Sequence, residues 1–185
     1  MIIEETRFPG LFVIQPKVFE DERGYFFESF SAANFEKATG AKADFVQHNQ
    51  SKSSKGVLRG LHFQREPYAQ AKLVRVLSGT ILDVVVDLRE GSPTYQQHFS
   101  IEMSAEDKKQ LFVPRGFAHG FVILSETAEF FYCVDRPYAP NFDDGIRFDD
   151  NSLNIDWKLD KLSLILSEKD KGLGTLNDAA GKFKF

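Results

Sequence analysis

The sequence predicts an all-β protein: a double-stranded β-helix, or jelly-roll, barrel with short peripheral helices. Three observations carry that prediction. Short strand-like apolar runs recur about every 8 to 12 residues, Gly and Pro turn signals separate them, and no amphipathic helix of about 10 to 15 residues intervenes as a parallel βαβ sheet would require. The 185 residues, 42% hydrophobic with 19 Phe, suffice for one domain over 1–185 with an aromatic core. The open end of such a barrel would hold a ligand.

Taken in order, IIEETRF and LFVIQP are short strands broken at Pro9–Gly10 and ended at Pro16. They fit a hairpin, a pairing with another strand, or a second subunit. DERGYFFESF turns at Asp21 to Gly24 and continues with aromatics. Ser31 to Gly40 is the best helix of the first half: Ser31 caps it, Phe30 and Phe35 stand at the staple positions, and Gly40 stops it. DFVQHNQS is strand-like, with Gln47 and Asn49 on one face, and the polar run SKSSKG (51–56) is expected to be a mobile loop. Gly56 to Gln64 is a strand, REPYAQ a turn, and AKLVRVLSG and TILDVVVDLR are strands joined tightly at Ser78–Gly79. QQHFSI, LFVPRGFAHGFVIL and AEFFYCVDRPYAP extend the β pattern, SAEDKK is a loop or single helical turn, and NFDDGIRFDD closes the set. The tail beyond Lys171 is undecided between a short helix and irregular chain.

A net charge of −4 and a pI near 5.6 give no global positive field, which argues against nucleic acid or an anionic bilayer as partner. Any anionic ligand must be held by a local basic cluster. Cys133 is the single cysteine and has no partner for an internal disulfide. Residues 1–20 lack a basic start followed by an apolar segment, and no run approaches the roughly 18 apolar residues of a membrane span. The expectation is a cytoplasmic protein.

Within residues 56–87, Arg59, His62 and Lys72 stand among Val, Leu and Phe, where a plain sheet face needs no charge. They mark a face that looks into a pocket. Arg59 and His62 have opposite parity, so sharing that pocket requires a bulge or twist, and Gly60 is where that is easiest. Three roles are open to His62: general base, hydrogen-bonded structural histidine, or metal ligand. Asp83, Asp87 and Asp170 are the candidate carboxylates to orient it. His119, in GFAHGF, reads as a turn-like site in an aromatic pocket. A barrel metal site commonly uses a His-x-His pair, which is absent, so metal ligation is disfavoured. Arg23, Arg59, Lys72 and Arg115 are the cations best placed for an anion. No phosphate-binding glycine loop and no dinucleotide fingerprint occurs, so a nucleotide would serve as a substrate handle. Tyr132 in FFYCV is a potential proton donor. With His62 on one side and Tyr132 on the other, the pair could remove and replace protons on opposite faces of a small ring, the logic of an epimerase. A metal-dependent oxygenase or isomerase and a non-catalytic sugar-binding barrel are the competing classes.

RGYFFESF, VLRGLHFQ, QAKLVRVLSGTILDVVVDLR, GSPT, VPRGFAHGF, the pair Tyr132 and Tyr138, and LSEKD together resemble the dTDP-4-dehydrorhamnose 3,5-epimerase family over roughly residues 2–171. The resemblance implies a cupin-like jelly-roll homodimer that uses no metal or organic cofactor. Its substrate would be a dTDP-linked 4-keto sugar, dTDP-4-dehydro-6-deoxy-D-glucose. It casts His62 as base, Asp170 as its orienting carboxylate, Lys72 as the cation beside the 4-keto oxygen and Tyr132 as the opposing acid. Arg59 and His119 would contact the substrate, and Tyr138 its sugar region. Arg23, Phe26, Glu28, Gln47 and Asn49 would hold the nucleotide, some of them across the dimer. Two departures stand out: SPTYQQHF, around Gln96 and Gln97, lacks the glycine and tryptophan many members show after the threonine, and Lys158 follows the tryptophan where a proline is usual.

Overall fold

The computed structural model describes residues 1–42 and 44–185. In chain order the strands of the first half are β1 (Ile2–Glu5), β2 (Phe12–Gln15), β3 (Phe19–Asp21), β4 (Gly24–Phe26), β5 (Gln47–Ser54), β6 (Leu58–Gln64), β7 (Lys72–Ser78) and β8 (Thr80–Asp87). There follow β9 (Arg89–Glu90), β10 (His98–Ser104), β11 (Gln110–Val113), β12 (Phe117–Ile123), β13 (Thr127–Val134), β14 (Asp143–Gly145) and β15 (Phe183–Lys184). Two α-helices, α1 (Ala32–Thr39) and α2 (Glu168–Lys171), are peripheral. The expected all-β jelly-roll holds. A six-stranded sheet in the order β1-β2-β11-β7-β13-β5 faces a five-stranded sheet in the order β10-β8-β12-β6-β14, and the neighbours within both are antiparallel.

Side-chain alternation sorts the apolar residues into three layers. Val74 and Val76 of β7, Phe130 of β13, Ile81 and Val85 of β8, and Phe121 of β12 fill the space between the sheets. The opposite parity of β8 and β12, including Leu82, Val84, Val86 and Val122, packs outward under the C-terminal segment through Trp157, Leu176 and Phe183. On the other side Phe12, Ile14, Leu73 and Phe112 are covered by Phe35 of α1. Because β8 is covered on both faces, its sequence is a nearly unbroken apolar run whose exceptions, Asp83 and Asp87, are fully buried.

The helix signals act as read. Ser31 Oγ accepts from Asn34 N at 3.3 Å, Gly40 adopts φ 72° and returns its N–H to Glu36 O, and the Phe30 and Phe35 rings lie 5.9 Å apart. β1 and β2 take the hairpin option. Two expectations are corrected. Residues 51–54 are the second half of β5, paired with β13, instead of a mobile loop. β5 is a sheet edge, so polar side chains at Lys52 and Ser54 cost nothing on its outer face. His119 likewise lies inside β12 and not in a turn; of GFAHGF only Gly116 belongs to the turn before the strand. The second glycine is explained by close backbone approach: a Cβ on Gly120 would lie 2.7 Å from Arg59 O, and one on Gly60 would lie 2.5 Å from Gly120 Cα.

The tail includes β15, which pairs in parallel with β9 and seats Phe183 against Phe63. Gln96 and Gln97 belong to the turn before β10, where Gln96 N bonds Asp87 O at 2.8 Å. Lys158 pairs with Asp156 on the surface, while Trp157 is buried and donates to Phe148 O. Among the described residues no helix is long and apolar enough to cross a membrane.

Asp87 organises the β8–β10 connection. Its buried carboxylate accepts from Arg89 N, Nε and Nη2, Ser92 Oγ and Thr94 Oγ1 at 2.6–3.0 Å. Burial opposes its ionisation, but these donors outweigh it and hold the carboxyl below its usual range. Removing it strands Arg89, so Asp87→Ala is expected to lose about 3–5 kcal/mol of stability in urea unfolding. A loss below about 1 kcal/mol would show the network to be dispensable.

Candidate active site

The two sheets part at one end, where side chains from β5, β6, β7, β12, β13 and α2 line a cleft. One lobe of about 460 Å3 includes Arg59, His62, Lys72, His119, Tyr132 and Asp170. A second of about 390 Å3 includes Gln47, Tyr138 and Asp143. Asn49, His62, Lys72, Tyr132 and Lys169 border both, so the lobes form one site.

The convergence of Arg59 and His62 depends on Gly60. The β6–β12 register shifts between His119 and Phe121, and Gly60 has φ +123°, a region open to glycine and closed to most side chains. Leu58 lies outward before the irregularity, and Leu61 and Phe63 lie outward after it. Arg59 and His62, of opposite parity, therefore both reach the cleft. Arg59 is steadied by Ser53 Oγ, which accepts from its Nε and Nη2 at 3.3 and 3.2 Å.

Each cleft histidine has its own carboxylate. His62 Nε2 lies 2.5 Å from Asp170 Oδ1. Asp170 comes from α2, where Ser167 caps the turn and donates its hydroxyl to Asp170 Oδ2 at 2.8 Å. Burial works against ionisation of Asp170, yet His62, Ser167 and Lys169 hold its carboxyl below the usual range. With the Nε2 hydrogen committed to Asp170, His62 keeps Nδ1 as its lone-pair nitrogen. His119 Nε2 instead meets both oxygens of Asp83 at 2.9 and 3.0 Å. Burial pushes His119 below its ordinary pKa against the opposing pull of Asp83, which favours the neutral imidazole. Of the carboxylates considered for His62, Asp83 thus serves His119, Asp87 serves Arg89, and Asp170 meets His62.

Lys72 enters at the start of β7 with Nζ 3.5 Å from His62 O. Burial lowers its pKa to about 8, with Asp83 and Asp143 restraining the fall and Lys169 adding to it. Tyr132 stands on β13, in the sheet opposite His62. Burial pushes its phenol up, partly offset by Arg59, so it stays protonated at neutral pH. Gln47, Asn49, Ser51 and Ser53 share the inner face of β5. Gln47 Nε2 donates to Asn49 Oδ1 at 2.9 Å and Gln47 Oε1 accepts from Tyr138 N, while Asn49 Nδ2 is buried without a partner among the described residues, a donor available to a ligand. Tyr138 donates its hydroxyl to Asp143, which also pairs with Lys169.

Three expected site residues lie elsewhere. Arg23 and Phe26 line a separate groove on the β3–β4 hairpin, Phe26 being 71% exposed, and Glu28 accepts from Asn34. Arg115 is also outside the cleft, paired with Asp135. Conversely, Ser51, Phe121, Phe130 and Lys169 line the cleft although the sequence reading did not single them out. Parity offered a signal: Ser51 follows Asn49 by two, Phe121 follows His119 by two, and Phe130 precedes Tyr132 by two. Among the described residues no three His, Cys, Asp or Glu side chains converge as metal ligands would.

A barrel whose open end sets a carboxylate-oriented imidazole against a protonated phenol, with a desolvated lysine in the same cleft, has the cupin-like architecture and the acid–base pair that an isomerase requires. The family model for dTDP-4-dehydrorhamnose 3,5-epimerase matches residues 5–178. The dTDP-4-dehydrorhamnose 3,5-epimerase of Shigella flexneri is 50% identical over 92% of this chain and 93% of its own length. The crystal structure of the Elizabethkingia anophelis enzyme of that name superposes with a TM-score of 0.93 at 50% identity, covering 96% of this chain and 97% of that one. A Legionella pneumophila dTDP-6-deoxy-D-glucose-3,5-epimerase in complex with dTDP-4-keto-L-rhamnose gives a TM-score of 0.93 at 42% identity, covering 100% and 99%. The chain belongs to the dTDP-4-dehydrorhamnose 3,5-epimerase family.

The lysine environment is testable without substrate. In protein carrying 13C-labelled lysine, the Lys72 side-chain resonance is expected to titrate near pH 8, against 10.5 for an ordinary lysine. Because Asp83 favours the cation, Asp83→Asn is expected to move that midpoint lower still; a midpoint that rises or stays fixed would contradict the assigned electrostatics.

Proposed function

We propose that the chain converts dTDP-4-dehydro-6-deoxy-D-glucose to dTDP-4-dehydro-L-rhamnose by inverting C3 and C5, with residues 1–185 acting as one jelly-roll unit and without a metal or organic cofactor. The observation that carries this reading is the placement of His62 and Tyr132 on opposing walls of one cleft, as removal of a proton from one face and its return to the other require.

The chemistry follows from the charges. The 4-ketone acidifies the protons at C3 and C5. His62 Nδ1 takes one of them, and the electron pair of the broken C–H bond moves to the C4 oxygen. The resulting imidazolium is stabilised by Asp170. Lys72, largely protonated below pH 8, faces the enolate oxygen and offsets its charge where water is partly excluded. Tyr132 delivers its proton to the opposite face of the same carbon; before the second inversion the His62 imidazolium gives its proton to solvent and the Tyr132 phenolate takes one up, which resets both groups. Arg59, His119 and Tyr138 contact the sugar, and Gln47 and Asn49 hold the nucleotide.

Arg23, Phe26 and Glu28 complete the nucleotide site from a second copy of the chain, so the working form is a cytoplasmic homodimer. Supporting this, the hairpin carrying Arg23 and Phe26 is solvent-exposed and outside this chain's own cleft.

Incubation with substrate in D2O is expected to place deuterium at both C3 and C5. No exchange at either carbon would refute the epimerase reading, and exchange at one alone would narrow it to a mono-epimerase. His62→Ala is expected to slow exchange about 10²- to 10⁴-fold while circular dichroism is unchanged. The rate should fall as pH rises through about 8, since deprotonation of Lys72 removes the enolate's counter-charge.

A further inference from the structure

Phe121 and Phe130 have no part in proton transfer, yet both reach the cleft. The side chains lining its first lobe otherwise carry polar atoms, from Asn49, Ser51 and Arg59 to Lys169 and Asp170. The two rings come from opposite sheets, β12 and β13, and stack with centroids 4.0 Å apart at 29°. They are 5% and 1% exposed and belong to the apolar layer between the sheets. Around them, the His119 ring lies 6.0 Å from Phe130 at 24° and Tyr132 lies 5.9 Å from it. The barrel core thus surfaces at one spot of a polar cleft, beside the proposed acid.

A 4-keto-6-deoxy sugar has a matching asymmetry. Its ring carries hydroxyls at C2 and C3, a carbonyl at C4 and a nucleotide at C1, while C6 is a methyl group on C5. We propose that the stacked Phe121–Phe130 pair is the seat of that methyl and selects sugars with an apolar C6. The inference rests on the epimerase reading and adds to it the feature by which the 6-deoxy substrate is recognised.

Two physical points support the assignment. A C6 hydroxyl placed on these rings would give up water and find neither donor nor acceptor, which penalises a 6-hydroxy sugar. Inversion at C5 also moves the methyl relative to the ring. A broad aromatic surface holds it before and after without a directional bond to break, whereas a tight polar contact would favour one epimer.

The test compares C3 deuterium uptake, a step available to both sugars, for dTDP-4-keto-6-deoxyglucose and for the analogue lacking C6, the dTDP-4-keto-xylose. Wild-type protein is expected to prefer the methyl-bearing sugar in kcat/KM by roughly 10- to 200-fold, the range for one carbon in an apolar pocket. Phe121→Leu and Phe130→Leu are expected to lower that preference several-fold toward unity. A purely structural role would slow both sugars alike and leave the ratio intact, and that result in a folded variant overturns the proposal. Equal wild-type rates on the two sugars overturn it without using either variant. Absence of uptake on both sugars in wild-type protein would instead refute the epimerase reading, and this inference with it.

Discussion

The close passage of β6 over β12 at Gly60 and Gly120 is the constraint on which the site depends. Two backbones approach to a separation at which a Cβ on either glycine would overlap the other chain. The register shift there moves the residues before and after it onto the same wall. In a regular strand Arg59 would point outward into the layer occupied by Leu58, Leu61 and Phe63, burying a guanidinium among apolar side chains at high cost. The irregularity removes that conflict and places two polar residues of opposite parity in one cleft.

Electrostatic specialisation follows from how that cleft is walled. Two histidines paired across β6 and β12, His62 and His119, receive different carboxylates. Asp83 lies on β8, opposite Phe121 in the register, and hydrogen-bonds the deep, buried imidazole of His119. Asp170 arrives from a capped turn at the cleft edge and meets the more exposed His62, whose side chain is 28% accessible. Two similar dyads thus differ in setting: the His119 side chain is buried, and that of His62 is open to the cleft. Lys72 is influenced by Asp83 and Asp143 together, which ties the cation to both lobes.

The jelly-roll also explains why polar chemistry and an apolar seat lie side by side. The layer between the sheets includes Phe121 and Phe130, and two residues along each strand the same inward-facing parity carries His119 and Tyr132 into the cleft. The strand parity that builds the core therefore continues unbroken into the cleft, with only the residue type changing. His62, Lys72 and Tyr132 thus stand on strands, with Asp170 brought from α2, and side chains on strands are held more precisely than those on mobile connections.

Local signals determined much of this protein from sequence alone. Alternation and turn residues specify the antiparallel strands, Ser31 and Gly40 bound α1, and the charged residues of 56–72 mark a pocket because charge on an apolar strand needs a reason. The resemblance further singled out Asp170 among the three candidate carboxylates, and Asp170 is the one that meets His62. Other features were not legible. Polar residues 51–54 read as a loop because an edge strand needs no apolar outer face, and GFAHGF read as a turn because a glycine required by a neighbouring backbone looks the same as one required by a bend. Which carboxylate serves which histidine was decided only by the tertiary structure. Asp170 is 108 residues from His62, and no local period spans that separation; only closure of the barrel and docking of α2 at its edge bring the two together. For residues 56–72, then, the sequence identified the polar anomalies, and the fold determined that Gly60 turns Arg59 and His62 to one side and what each of them meets there.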